Sequence, residues 1–120
     1  MSVPLTRRFT RAAPGALNVF AYATDDETGL TFIRVTKATR IVGIVSSPQN
    51  AAGVNHQVNL QKGGIDTGRR FYSTALDPAQ IGRVAFQPIN LSPGDYFFSV
   101  SQTLGALGAY SFEVTFDRGI

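Results

Sequence analysis

Tyr96–Phe116 reads YFFSVSQTLGALGAYSFEVTF, and its apolar residues recur with a period of two. Tyr96, Phe98 and Val100 alternate with Phe97, Ser99 and Ser101. Phe112, Val114 and Phe116 alternate with Ser111, Glu113 and Thr115. Successive side chains of a strand point to opposite faces, so each run has one buried face and one mainly polar face. Leu104-Gly105-Ala106-Leu107-Gly108 is expected to join the two as a hairpin.

The same alternation extends outward along the chain, and no stretch of ten residues keeps a clean 3.6-residue apolar period. The pattern predicts strands at Leu17–Thr24, Leu30–Val35, Arg40–Ser46, His56–Gln61, Arg69–Ser73, Arg83–Gln87, Tyr96–Gln102 and Ala109–Phe116. The expected fold is therefore all-β: a single jelly-roll-like β-sandwich of about eight antiparallel strands. Turn chemistry fits this spacing. In Ser92-Pro93-Gly94 the proline presets φ and the glycine supplies a positive φ. Lys62-Gly63-Gly64 with Asp66-Thr67-Gly68, and Asp25-Asp26-Glu27-Thr28-Gly29, read as two further reversals. Residues 48–55 and 74–82 form long loops, with a helical turn expected at Leu76–Gln80, Asp77 capping it and Pro78 in its first position.

Two early strands depart from the half-buried rule. Leu17 and Val19 occupy one face while Phe20 and Tyr22 occupy the other, and Ile41, Val42, Ile44 and Val45 leave no polar face. Strands apolar on both sides need cover on both sides. That cover is either a second layer from the same chain, including its folded-back N-terminus, or a neighbouring subunit.

At 120 residues, with 43% hydrophobic and 16% charged residues, the chain has the size and composition of one globular domain. It contains no cysteine, which excludes disulfide and thiolate chemistry. No run approaches the ~18 apolar residues of a membrane span. The basic N-terminus runs into Ala12-Ala13-Pro14-Gly15 rather than a signal-peptide core, so the expectation is cytoplasmic synthesis without a dedicated secretion route.

Charge is unevenly distributed. Residues 1–15 hold Arg7, Arg8 and Arg11 and no acid, whereas the remaining 105 residues hold eight basic and eight acidic residues. The formal excess of +3 thus sits on the N-terminal segment. This segment is expected to be an extended basic arm (1–15) preceding a sandwich domain (16–120). Three arginines are few for a nucleic-acid tether, and Pro4 and Pro14 disfavour a helix. Interleaving with Val3, Leu5 and Phe9 suits an arm lying along another protein. The expected partner-binding residues are Val3, Leu5, Arg7, Arg8, Phe9 and Arg11, with Phe20 and Tyr22 as a lateral contact.

Catalytic chemistry is sparsely supplied, and the expectation is a non-enzyme without cofactor or metal. His56 is the one histidine and shares a strand face with Val58 and Leu60, which suits a core-edge or interface role. Zinc would need several His or Cys ligands. Asp25-Asp26-Glu27 lacks the spacing of a dedicated calcium loop and reads as a solvated hairpin tip. Lys62-Gly63-Gly64 lacks the ending of a phosphate loop. Arg69-Arg70-Phe71-Tyr72 is a basic-aromatic cluster, but Phe71 and Tyr72 must face opposite ways.

The stretches VNLQKGGIDTGRRFYS, GRVAFQPINLSPGDYFFSVSQT and GAYSFEVTF, spanning Val58 to Phe116, resemble the accessory β-sandwich domains of bacteriophage virions, of capsid-decoration or tail and fibre type. They are also similar to small sugar- or matrix-binding domains of secreted bacterial enzymes, although Asn55-His56-Gln57-Val58-Asn59 lacks the acids of the calcium-linked versions. The first resemblance implies a structural protein of the virion, made in the host cytoplasm. It would bind other capsid or tail subunits and act as a homo-oligomer, with a trimer foremost. The second implies a carbohydrate-binding module, with Tyr72 and Tyr110 as candidate aromatics.

Overall fold

In the computed structural model, which describes residues 4–46, 54–77 and 86–117, the elements follow one another as β1 (Pro4–Arg11), β2 (Ala21–Tyr22), β3 (Thr24–Asp25), β4 (Ile33–Val35), β5 (Thr39–Ser46), β6 (Asn55–Lys62), β7 (Ile65–Tyr72), α1 (Ser73–Leu76), β8 (Ile89–Leu91), β9 (Gly94–Leu104) and β10 (Tyr110–Asp117). They form two antiparallel sheets. One has the order β3-β1-β10-β5-β8; the other has the order β2-β9-β6-β7, with β4 beside β2 on the same edge of β9. Taking β2 and β4 as one interrupted strand and β3 as an edge extension leaves eight principal strands. In chain order the sheets then run 1-8-3-6 and 2-7-4-5, the strand order of a jelly roll.

The first principal strand is the segment expected to extend away as an arm. Pro4–Arg11 is instead hydrogen-bonded along its whole length to β10, from Pro4 opposite Asp117 to Arg11 opposite Tyr110. Leu5, Arg7, Phe9 and Arg11 fall on its inward face, and Phe9 is 1% exposed. The reason is period two: alternate placement of apolar residues among arginines satisfies a sheet as well as it would a foreign surface. A boundary at residue 15 would cut a strand out of the first sheet.

Tyr96–Phe116 supplies two strands as expected, but they are not hairpin partners. β9 lies in the second sheet and β10 in the first. Residues 105–109 cross between the sheets, and the two apolar faces meet across the core, where Phe98 is edge-on to Phe112 at 5.3 Å. Alternation specifies which face is buried, but not whether the next strand lies beside it in the same sheet or across the core in the facing one. Phe9 completes the centre, 4.8 Å from Phe98 and 5.7 Å from Phe112.

The all-apolar strand β5 is resolved by a bulge. Its register against β10 shifts between Thr115 and Phe116, which pair with Gly43 and Ile41 and leave Val42 as the extra residue. An inserted residue reverses the parity, so Ile41 and Ile44, three apart, both enter the core while Val42 stays exposed. The cover for β5 therefore needs no second layer on its outer face.

Other differences are local. Of Leu17–Thr24, only Ala21–Tyr22 and part of β3 are strand. The chain passes from the second sheet to the first at Ala23, which is wholly buried and bonds to the Phe98 carbonyl. A helical turn forms at Ser73–Leu76, ahead of the expected one; Asp77, preceding Pro78, has an extended ψ of 132°, as steric contact with a following proline requires. Residues 78–80 of the expected turn, and Arg83–Ala85, lie outside the described residues; Phe86 and Gln87 are not strand, and β8 forms after Pro88. Gly63 and Gly64, both at positive φ, close the two-residue β6–β7 hairpin in the manner of a type I′ turn. Asp66-Thr67-Gly68, read together with Lys62-Gly63-Gly64 as one reversal, lies beyond the turn as a bulged irregularity within β7.

Candidate functional site

The basic residues expected to grip a partner are engaged by their own chain. Arg7 Nη1 lies 3.2 Å from both Asp25 Oδ2 and Glu27 Oε2, and Arg8 Nε lies 3.4 Å from Asp26 Oδ2. Thr10 Oγ1 donates to the same Asp26 carboxylate at 3.1 Å. Arg11 is buried, and its Nη2 donates to the Val19 carbonyl at 3.1 Å. The acidic hairpin tip is therefore the counter-charge of strand β1, held in shape by Glu27 N and Arg7 donating to Asp25. Of the expected contact residues, Leu5 and Arg7 are half-buried, Phe9 and Arg11 are interior, and Arg8, Phe20 and Tyr22 are exposed; Val3 lies outside the described residues.

His56 is an interior residue, 1% exposed, stacked on Tyr110 with ring centroids 4.4 Å apart. Neither ring nitrogen has a well-formed hydrogen bond. Burial pushes its pKa below the usual imidazole value; the nearby Gly108 carbonyl opposes this shift and the Arg11 charge adds to it. Tyr110, considered above as a sugar-stacking ring, is also core. Its hydroxyl lies 2.6 Å from Ser46 Oγ, and burial pushes its pKa up to about 12. Ser46 donates onward to the Ser73 carbonyl, while Ser73 Oγ accepts from His56 N and donates to Asn55 Oδ1. This network ties β5, β6, β10 and α1 together.

Exposed chemistry gathers in two places. The first is one end of the sandwich. Asn18, held at φ 62°, donates its backbone N–H to the Gln102 carbonyl and brings residues 17–20 alongside the end of β9. Leu17, Val19, Phe20, Leu104 and Leu107 are all large, apolar and exposed there. Gln102 fixes the adjoining turn: its side chain donates to the Leu104 and Ala106 carbonyls and accepts from Gly108 N.

The second is the outer face of the second sheet. Register places Tyr22 opposite Ser99, Ser99 opposite Asn59 and Asn59 opposite Arg70. The neighbouring rows are Phe97-Gln61-Asp66 and Ser101-Gln57-Tyr72. From β2, the Tyr22 hydroxyl donates to Gln61 Oε1 on β6 at 2.9 Å, so its ring lies across the intervening β9. Phe97 packs 5.0 Å from that ring and Phe32 5.7 Å from Phe97. Two ion pairs border this face: Arg34 with Asp95 at 2.9 Å and Arg70 with Asp66 at 3.4 Å. The hydrogen bond from Arg34 holds the Asp95 carboxyl below its usual range, and the Gly68 N–H does the same for Asp66.

Phe97, Gln57, Asn59 and Gln61 were not among the residues singled out from the sequence. A signal was present, because Gln57, Asn59 and Gln61 alternate with Val58 and Leu60, marking an amide-rich outer face. Comparison with known proteins yields no match among family models, curated proteins or solved structures.

Proposed function

We propose that this protein is a non-catalytic structural protein of a bacteriophage virion that attaches to capsid or tail subunits and works as a homo-oligomer. The observation carrying this reading is the rigid apolar end formed by Leu17, Val19, Phe20, Leu104 and Leu107. These side chains are presented by a backbone pinned through Asn18, Arg11 and Gln102, so little ordering entropy is lost when a partner covers them. Clustered exposed apolar residues mark contact surfaces more often than singly scattered ones do. The jelly-roll strand order supports the reading by analogy, since viral capsid domains use it, as do lectins. Attachment runs through this end rather than through an N-terminal arm.

The test uses Phe20→Asp and Leu104→Asp, whose side chains lie outside the core. Sedimentation velocity should give an oligomer for the parent, with a trimer the first mass to look for, and a folded monomer for each variant. Particles lacking the protein should take up the parent and not the variants. A monomeric parent that fails to bind particles, or variants that bind as well as it does, would reject the proposal.

A further inference from the structure

We infer that the outer face of the second sheet is a binding site for a neutral saccharide, with Tyr22 as its stacking platform and Gln57 and Gln61 as its hydroxyl-binding groups, Gln57 being oriented by the buried Asn59. Three features of the face point to this ligand chemistry.

The first is the pose of Tyr22. It is 42% exposed although its hydroxyl is anchored to a residue two strands away, so the ring is laid along the sheet and kept there. It also explains why Ser99, on an outward-facing position beneath it, is only 5% exposed. A fixed ring with one face to solvent suits the apolar C–H face of a pyranose, and holding it in advance lowers the ordering cost of binding.

The second is the row of amides. Gln57 Nε2 donates to Asn59 Oδ1 at 3.0 Å, and Gln61 Oε1 accepts from Tyr22. These bonds orient planar groups that carry both donors and acceptors, which matches hydroxyls that also do both. Tyr72, exposed and one row from Asn59, bounds the opposite side on β7.

The third is charge. Arg34 and Arg70, the cations that strand register places on this face, are each paired with a carboxylate. A polyanion would need cations available to replace its counterions, whereas a neutral polyol needs none.

This inference does not depend on the virion reading, because the apolar end and this face use different side chains. The test is an NMR titration of the full chain with maltohexaose, cellohexaose and mannohexaose. At least one should shift amide signals of β6, β9 and β2 and leave those of β5 and β10 unmoved. Tyr22→Ala should weaken that binding about tenfold or more, the loss expected for one stacking ring and the contacts it organises. Tyr72→Ala, at an exposed edge position, provides a second variant that keeps the fold should Tyr22→Ala melt. Phe20→Asp should bind as the parent does. No shift with any of the three sugars, shifts insensitive to both tyrosine variants, or binding that falls steeply with salt would overturn the inference.

Discussion

Arg7 and Asp25 form the contact that converts an apparent charge asymmetry into internal structure. Nη1 of Arg7, on the first strand, lies 3.2 Å from Oδ2 of Asp25, whose side chain is 2% exposed. Asp25 also accepts from Glu27 N and so fixes the hairpin that supplies the other acids. Burial makes the two partners unequal: removing Arg7 leaves an interior carboxylate without its cation, and that is the costly event.

Arg7→Ala should therefore destabilise the protein by about 2–4 kcal/mol, measured by urea denaturation. Arg8→Ala, whose exposed pair with Asp26 is solvent-screened, should cost at most about 1 kcal/mol. A double-mutant cycle on Arg7 and Asp25 should give a clearly larger coupling than one on Arg8 and Asp26. Equal couplings would mean that the Arg7 pair contributes no more than a surface contact.

Deleting residues 1–15 should abolish cooperative folding, because it strips the β1 ladder from β10 and takes Phe9 out of the core. The milder Phe9→Ala should cost about 3–5 kcal/mol. A truncated chain that retained a sharp thermal transition would show that β1 is dispensable.

His56 predicts a stability step on the acidic side. Its pKa is lowered in the folded state by burial, so the folded protein binds fewer protons than the unfolded chain below the ordinary imidazole value of 6.5. Its contribution is complete above pH 6.5 and is lost as pH falls toward the depressed folded value. Asp66 and Asp95 also have lowered values, so their contributions fade only below the ordinary carboxylate value of 3.8, in a separate window. The melting temperature should thus fall between pH 6.5 and the carboxylate range. His56→Phe should flatten that segment alone.

Tyr110 predicts the corresponding step in alkali. Its hydroxyl is raised to about 12, so stability is complete below the ordinary phenol value of 10 and declines as pH rises from 10 toward 12. Tyr110→Phe should remove this decline while losing the 2.6 Å bond to Ser46, a cost of about 1 kcal/mol at neutral pH. An unchanged alkaline profile would indicate that another group controls it.

Gly94 offers a local test of packing against backbone conformation. At φ 154° an added Cβ would meet Lys62 Cε at 2.7 Å. That side chain is flexible but donates to Ser92 Oγ and lies over Tyr96. Gly94→Ala should cost about 1–3 kcal/mol. If most of that is backbone strain, adding Lys62→Ala will not restore stability; a full rescue would assign the cost to the side-chain clash.

The sequence alone determined the all-β character, most strand positions and the inward faces of β6, β9 and β10. Those properties follow from period two, which is local: Tyr96, Phe98 and Val100 are interior whatever β9 pairs with. It also identified the glycine turn at 63–64, because a two-residue hairpin with two positive φ values needs such residues. Only the tertiary structure decided partnership. Alternation does not distinguish a hairpin mate from a strand in the facing sheet, so β9 and β10 read as neighbours although they meet through Phe98 and Phe112. Nor does it distinguish an inserted strand from an arm, so Leu5, Arg7 and Phe9 read as a grip on another molecule. The acids that pair with Arg7 and Arg8 lie 18 to 20 residues further along the chain, and a pairing over that distance depends on where the whole sandwich brings the acidic hairpin. The candidate saccharide face was hidden for the same reason: Tyr22 and Gln61 are 39 residues apart, and the sheet makes them neighbours.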